Sequence, residues 1–344
     1  EETNGQIVGT PIVEKLTSDQ IERMREYLLH HLCGESLQVD KSGQKNKQAI
    51  FILCTGRSGS TLLRVIMAGH PQLFAPPELY LLSFNTLAER KAAFSGRNNF
   101  LAEGVTRAIM EIKNCDGERA LEIMEELEVQ NLSTKEFFAL IQSWLPGKII
   151  ADKTPPYAFN PQVLQRAEEE FENPLYIHLL RHPMATIRSM KEARLDLLVA
   201  MEEEEFSVEQ KGELMWQISH QNIREFLKDI PSNRQHQLKY EDLVQQPQTT
   251  VEGLCKFIGI EFHQDMLEPY KEKRKRMTDG VHAVSRMMGD PKFHSYKGIN
   301  AKVAERWKEE YNTDFLSEQT WQVAEELGYE RMTVIDSDRE EGEI

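Results

Sequence analysis

The chain has 344 residues, 40% of them hydrophobic, and a formal net charge of -15. That length holds one large domain or two small ones with a real core, and the acidity argues against general nucleic-acid binding, so an anionic ligand needs a local basic pocket. Cys33, Cys54, Cys115 and Cys255 lie scattered without metal-ligand spacing, which fits a reducing, cytoplasmic setting, and neither a membrane-span-length apolar run nor a signal peptide is visible.

Residues 1–46 read as an N-terminal linker and helix, with Glu1 to Thr10 expected to be disordered. Leu16 to Leu32 is amphipathic: Thr17 or Ser18 can cap a helix whose Ile21, Met24, Leu28 and Leu32 share one face. Gly34 to Lys47 is a polar linker. The stretch Ala49 to Pro71, AIFILCTGRSGSTLLRVIMAGHP, organises the rest. Ala49 to Cys54 is a continuous apolar run suited to a buried parallel strand, with Cys54 as plain core. A small polar turn follows, then Leu62 to Ala68 with helical potential, ended by Gly69 and Pro71. Strand, tight turn and helix can aim several N–H groups at one anion, and the helix N-terminus adds partial positive charge. Ser58, Ser60 and Thr61 offer hydroxyls, and Arg57 offers a cation. The plainer alternative is an ordinary glycine turn in an α/β sheet. The loop lacks the G-x-x-x-x-G-K-[ST] spacing and lysine of a triphosphate loop.

Gln72 to Phe84 contains APPELYLL, where two prolines force an extended path and Glu78 emerges just after them. Thr86 to Leu145 reads as a charged, amphipathic helical insertion, interrupted near Asn114 to Gly117, with no evident chemistry. Lys148 to Ala151 is a second strand, ended by Asp152-Lys153-Thr154-Pro155-Pro156, and Leu175 to Leu180 a third. His182-Pro183 then opens a helix, with Pro at the favoured first position and His182 as its cap. Glu202 to Glu205 is a carboxylate run, Met215 to Leu227 a helix, Gln237 to Tyr240 a fourth strand and Pro247 to Ile258 another helix. Lys271 to Arg276 is a basic cluster, and the last helix spans about Ala301 to Leu327 with a break near Asn312. Strands alternating with helices predict an α/β fold, three layers around a central parallel sheet. The main domain is expected over residues 47–335, with 86–145 as its insertion. An acidic tail follows from Asp336 to Ile344, and both ends read as cut from something longer.

A second stretch, Leu180-Arg181-His182-Pro183-Met184-Ala185-Thr186-Ile187-Arg188-Ser189, places an arginine at a strand end and a serine about two turns into the next helix. Ligands of open parallel sheets bind beyond the carboxyl ends of the strands, so Arg181 and Ser189 can clamp one phosphate, Arg181 in bidentate fashion. Arg181 paired with a structural carboxylate is the alternative. Arg188 points elsewhere on the helix. His178, mid-strand, reads as a satisfied core residue. His282 and His294 flank VHAVSRMMGDPKFH and either line an acceptor site or belong to an ordinary loop.

TGRSGSTLL resembles the 5′-phosphosulfate loop of sulfotransferases that use 3′-phosphoadenosine-5′-phosphosulfate (PAPS), and the Arg181/Ser189 spacing is similar to their 3′-phosphate motif. Arg57 stands where cytosolic members usually carry lysine. Tyr240-Glu241-Asp242-Leu243 resembles the segment whose tyrosine lies near the adenine. Ser295-Tyr296-Lys297-Gly298-Ile299-Asn300 followed by Arg306-Trp307 resembles the late cofactor-clamping loop. The resemblance covers about Lys47 to Tyr329 and implies a P-loop-like sulfotransferase fold. It also implies a cofactor site of Arg57, Ser58, Gly59, Ser60, Thr61, Leu62, Arg181, Ser189, Tyr240, Lys297 and Gly298, with PAP as product and no metal. Catalysis of this type is mostly positioning and charge stabilisation, and a base must take the acceptor's hydroxyl proton. Cytosolic relatives use the histidine of a K-T-H-x-P segment; the matching DKTPP has none. The other branch uses a glutamate after the phosphosulfate helix, which matches Glu78. Lys153 resembles the lysine that neutralises the leaving oxygen, with Asp152 to orient it, and Arg57 joins the catalytic set.

KRMTDGVHAVSRMMGDPKFH resembles the sulfotransferase domains embedded in cyanobacterial polyketide and olefin synthases, and the N-terminal LTSDQIERMREYLLHHL resembles helices that precede domains in bacterial modular synthases. This resemblance implies an acceptor β-hydroxyl on an acyl chain carried by an acyl carrier protein, with a thioesterase domain next in line that eliminates the sulfate to leave a terminal alkene. A sulfotransferase for tyrosyl, glycan or small-molecule hydroxyls, a kinase-like phosphoryl transferase and a non-catalytic PAPS-binding domain stay open.

Overall fold

The computed structural model describes residues 14–32, 37–39, 41, 43–194, 206–282, 290, 292–311 and 313–331. The Glu202–Glu205 run, Cys33, most of the segment between His282 and His294, the first ten residues and the acidic tail lie outside the described residues.

Five parallel strands form one sheet in the order β2-β3-β1-β4-β5. They are β1 (Ala49–Leu53), β2 (Leu73–Phe74), β3 (Ile149–Asp152), β4 (Leu175–Leu180) and β5 (Gln235–Lys239). β1 is central, registered Ile50 to Leu175 on one side and Ala49 to Ile150 on the other. Its five residues are all buried, as a strand covered on both faces requires. β2 is the strand that periodicity missed: two residues are too short to carry a pattern, and the prolines behind it announce only an extended path.

The helices are α1 (Ser18–Leu32), α2 (Ser60–Met67), α3 (Leu87–Ala93), α4 (Glu103–Lys113), α5 (Gly117–Gln130), α6 (Thr134–Ser143), α7 (Pro161–Glu170), α8 (Pro183–Glu192), α9 (Val208–Leu227), α10 (Tyr240–Gln245), α11 (Pro247–Ile258) and α12 (Glu318–Glu326). Alternate residues of β1 divide the core. Ala49, Phe51 and Leu53 face a cluster built from the 86–145 helices, α7 and the end of α9. Ile50, Ile52 and Cys54 face one built from α2, α10 and α11. This is the expected three-layer α/β architecture with a helical insertion.

Several local expectations hold for stated reasons. Thr17 caps α1, its hydroxyl accepting from the Gln20 amide at 3.3 Å, and Ile21 and Met24 are buried against Met215, Ile218 and Phe159. The side chains of Leu28 and Leu32 lie outside the described set. The insertion breaks at Asn114, which closes α4 in the left-handed conformation. Helix α9 starts seven residues before Met215, because Ser207 and Gln210 form a capping box. The expected long last helix is not one: residues 301–309 make two 3-10 turns, and α12 begins only at Glu318, capped by Ser317. Trp307, Tyr311 and Phe315 are buried there with Trp216 and Trp321, so packing of large aromatics replaces helix continuity.

Candidate active site

Five of the candidate residues follow the carboxyl ends of the five strands, the place where open parallel sheets bind ligands. Arg57 lies after β1, Glu78 after β2, Lys153 after β3, Arg181 after β4 and Tyr240 after β5.

The β1–α2 turn curls through left-handed conformations at Arg57 (φ 65°) and Gly59 (φ 83°). Gly59 is the N-cap of α2, and a Cβ there would lie 2.1 Å from the Tyr240 ring. Only glycine lets the turn and the ring meet. Ser58, Ser60 and Thr61 are buried, and the Ser58 hydroxyl has no hydrogen-bond partner. Orphaned polar atoms in a glycine turn at a helix N-terminus are what an anion would satisfy. Leu62 is buried one residue on.

The two sequence motifs meet directly. Arg181 donates Nη1 to the Arg57 carbonyl at 2.8 Å, and Arg57 donates Nε to the Ser189 hydroxyl at 3.2 Å. The Arg181 guanidinium lies 4.6 Å over the Tyr240 ring, and its Nε is buried without a partner. Burial lowers the Arg181 pKa, with the Arg57 charge adding to the effect. Three cation- or hydroxyl-bearing groups therefore converge on one spot. Arg57 also pairs with Asp290 at 3.1 Å, a residue that sequence reasoning passed over. As expected, Arg188 turns away, to Glu192 and Glu310. His182 occupies the cap position without a side-chain capping bond; its ring instead stacks on Trp307 at 4.2 Å, and burial pushes its pKa down to about 3. His178 is a core residue, bonded to His220 at 2.9 Å.

A second cluster surrounds Glu78. Lys153, 1% exposed, donates to Glu78 Oε1 at 2.5 Å. Tyr80 donates its hydroxyl to Glu78 Oε2 at 3.0 Å, while burial and the Glu78 charge raise the phenol's pKa well above its usual value. Tyr80 itself sits at φ 55°, an uncommon conformation for a bulky residue. Asp152 does not orient Lys153 by a hydrogen bond. Its oxygens accept from Thr154 (2.8 Å) and Tyr157 (3.0 Å), and those two hydroxyls accept from the Leu79 and Leu82 amides. Asp152 thus braces the loop that carries Glu78, and burial raises its pKa to about 6. From the insertion, Gly104 brings α4 so close that a Cβ would lie 2.0 Å from the Glu78 carbonyl oxygen. The insertion therefore shapes the site after all. Cys54 links the clusters: its thiol, pushed up to about 12 by burial, bonds with Ser60 and feels Lys153 and Glu78.

The two candidate histidines part company. His282 is exposed and its charge acts on Glu103, next to Gly104, which puts it on the Glu78 side. His294 is exposed against Phe293, which stacks on Tyr270. Tyr270 lies 6.4 Å from the Tyr296 ring and within electrostatic reach of Tyr240 and Asp290, so His294 belongs to the Tyr240 side. Lys297 and Gly298 are exposed just beyond Tyr296. The basic run is a set of turns, not a helix face. Lys271 to Lys275 are exposed, while Arg276 is buried and donates to the Val65 and Asp265 carbonyls.

Tyr80, Gly104 and Asp290 are the neighbours that sequence reasoning missed. Tyr80 stands two residues from Glu78, and that proximity was the one local signal. Among the described residues no helix is long and apolar enough to cross a membrane, and no group of three metal-ligating side chains converges.

The model of the Sulfotransferase family matches residues 49–264. A sulfotransferase domain from the curacin biosynthetic pathway is 40% identical and superposes with a TM-score of 0.77, covering 83% of this chain and 99% of that one. A sulfotransferase domain from the Synechococcus PCC 7002 olefin synthase is 32% identical with a TM-score of 0.76, covering 86% of this chain and all of that one. An uncharacterized protein of Aquifex aeolicus is 22% identical over 286 residues, and this chain spans 32% of its length. The matched region carries the β1–α2 turn, Glu78, Lys153, Arg181 and Tyr240, and the chain belongs to the sulfotransferase family.

Proposed function

We propose that the protein transfers a sulfuryl group from PAPS to the β-hydroxyl of an acyl chain on an acyl carrier protein, preparing it for decarboxylative elimination by a neighbouring thioesterase. The observation that carries the donor is the convergence of Arg57, Arg181 and Ser189 beside a glycine turn with an orphaned Ser58 hydroxyl. One nucleotide with two anionic groups fits this layout. Ser58, Gly59, Ser60, Thr61 and Leu62 would hold the 5′-phosphosulfate through hydroxyls and the α2 N-terminus. Arg181 and Ser189 would hold the 3′-phosphate, with Arg57, bonded to both, serving the phosphosulfate loop beside it, Tyr240 beside the adenine and Lys297 and Gly298 closing over it. PAPS supplies the sulfuryl group when bound.

Glu78 is the proposed base. Each of its oxygens accepts one hydrogen bond, and an ionised carboxylate keeps further lone pairs for an acceptor hydroxyl. Lys153, held by Glu78, supplies positive charge for the leaving oxygen, and taking the acceptor's proton onto Glu78 leaves that charge in place. His282, on the same side, is the second candidate for contact with the acceptor. Similarity to domains from the curacin pathway and an olefin synthase supports the carrier-bound acceptor. The exposed Lys271, Lys273, Arg274 and Lys275 offer a basic docking surface on an otherwise acidic chain.

The test is mass spectrometry after incubation with PAPS and a panel of β-hydroxyacyl carrier proteins, tyrosyl peptides and free sugars. A mass gain of one sulfuryl group on the carrier-bound chain alone is expected. Gain only on a peptide or sugar would overturn the acceptor assignment, and no gain on any would overturn the transferase reading with PAPS.

A further inference from the structure

The peptide between Arg181 and His182 is gripped on one side by a buried indole and on the other by a half-buried carboxylate, and the proposed chemistry gives neither a role. Trp216 on α9, fully buried, donates its indole Nε1 to the Arg181 carbonyl at 3.0 Å. The His182 amide donates to Glu241 Oε1 at 2.9 Å. Glu241 is itself held, its Oε2 accepting from the Tyr329 hydroxyl at 3.1 Å. The His182 ring is packed between neighbours, stacked on Trp307 and edge-on to Tyr329 at 5.4 Å. With the backbone fixed, the side chain of Arg181 is fixed too: Nη1 on the Arg57 carbonyl, the guanidinium plane on Tyr240, and Nε buried with nothing to bond.

A guanidinium recognises phosphate by a planar fork, so its plane and distance both matter, and small displacements of a positioned group are costly. We infer that Trp216 and Glu241 are positioning residues that give this site its preference for a 3′-phosphorylated nucleotide, by locking the Arg181–His182 peptide and so aiming the Arg181 fork. Tyr329 and Trp307 lie beyond the region matched by the family model, so the C-terminal segment takes part in nucleotide selection. The inference rests on the proposed role of Arg181 at the 3′-phosphate.

The test measures, by calorimetry on the whole chain, the affinities for adenosine 3′,5′-bisphosphate and adenosine 5′-phosphate. The parent protein should prefer the bisphosphate. In Trp216→Phe and in Glu241→Ala that preference should fall by about fivefold or more, the equivalent of one net hydrogen bond. Glu241→Gln should restore it, because the amide oxygen still accepts from the His182 N–H. Trp216→Phe keeps most of the ring volume, so the test survives a Glu241→Ala chain that fails to fold. Equal losses for both nucleotides, or an unchanged preference, would make Trp216 and Glu241 ordinary core and overturn the inference. A parent protein without preference would overturn the reading of Arg181 itself.

Discussion

Gly59→Ala is the sharpest single perturbation of the site. The new methyl would lie 2.1 and 2.4 Å from Tyr240 Cδ2 and Cε2, so the ring must move by more than an ångström. Overpacking of this kind costs about 1–3 kcal/mol. The backbone at φ 83° adds about 1–2 kcal/mol for any residue with a Cβ. Together the change should destabilise the fold by about 2–5 kcal/mol. The functional loss should exceed what stability alone implies, because the displaced ring carries the Arg181 guanidinium and Arg181 holds the turn through the Arg57 carbonyl. Urea unfolding of Gly59→Ala, Tyr240→Ala and the double variant separates the two terms. Deleting the ring removes the clash and leaves the backbone strain, so Gly59→Ala should cost about 1–3 kcal/mol less in the Tyr240→Ala background. The same cost in both backgrounds would refute the ring contact. A cost below about 0.5 kcal/mol in both would refute the left-handed turn as well.

Glu78→Gln should lower kcat strongly with cofactor affinity near that of the parent, since a base acts in the transition state; unchanged turnover would move the base elsewhere, with His282 next to test. Lys153→Ala should lower kcat and also weaken PAPS binding, as measured by steady-state kinetics and calorimetry. Asp290 competes for Arg57 with any bound anion, so Asp290→Asn should tighten binding of adenosine 3′,5′-bisphosphate, by about two- to fivefold for a partly exposed pair; weaker binding would show that Asp290 helps hold the ligand. His178 and His182 are held at about 3 and His220 well below its usual value, all by burial. Their stabilisation is complete above about pH 6.5 and is lost as pH falls towards about 3. Asp152, raised to about 6, works in the opposite sense, its contribution present at low pH and lost as pH rises through about 6. From His178, His182 and Asp152 the protein should be about 2 kcal/mol less stable at pH 5.5 than at pH 7, with His220 acting in the same direction as the other two histidines, and equal urea midpoints and slopes at the two pH values would contradict this. Reversing Lys273, Arg274 and Lys275 to Glu should raise the KM for a carrier-bound substrate and spare a short pantetheine-bound one, with the carrier-bound rate falling as salt is added; equal losses on both would point to damage to the fold.

By itself the sequence determined the strand–turn–helix of residues 49–67, the strand of residues 175–180, the parallel sheet and the choice of side chains proposed to hold the anion. These are local matters: an apolar run, glycine at a sharp turn and proline at a helix start act through near neighbours in the chain. It also marked Glu78 and Lys153, through resemblance to a family and not through any pattern of their own. Only the tertiary structure decided that these two are partners across 75 positions, that Asp152 braces a loop instead of aiming a lysine, and that α4 of an insertion without visible chemistry presses on Glu78 through Gly104. It likewise turned an expected last helix into aromatic packing around His182, and it buried Arg276 at the end of an otherwise exposed basic cluster. The physical reason is common to all of these. A buried polar group needs a partner, and which partner meets it is set by the order in which the strands assemble, β2-β3-β1-β4-β5, a long-range property that neither periodicity nor spacing along the chain encodes.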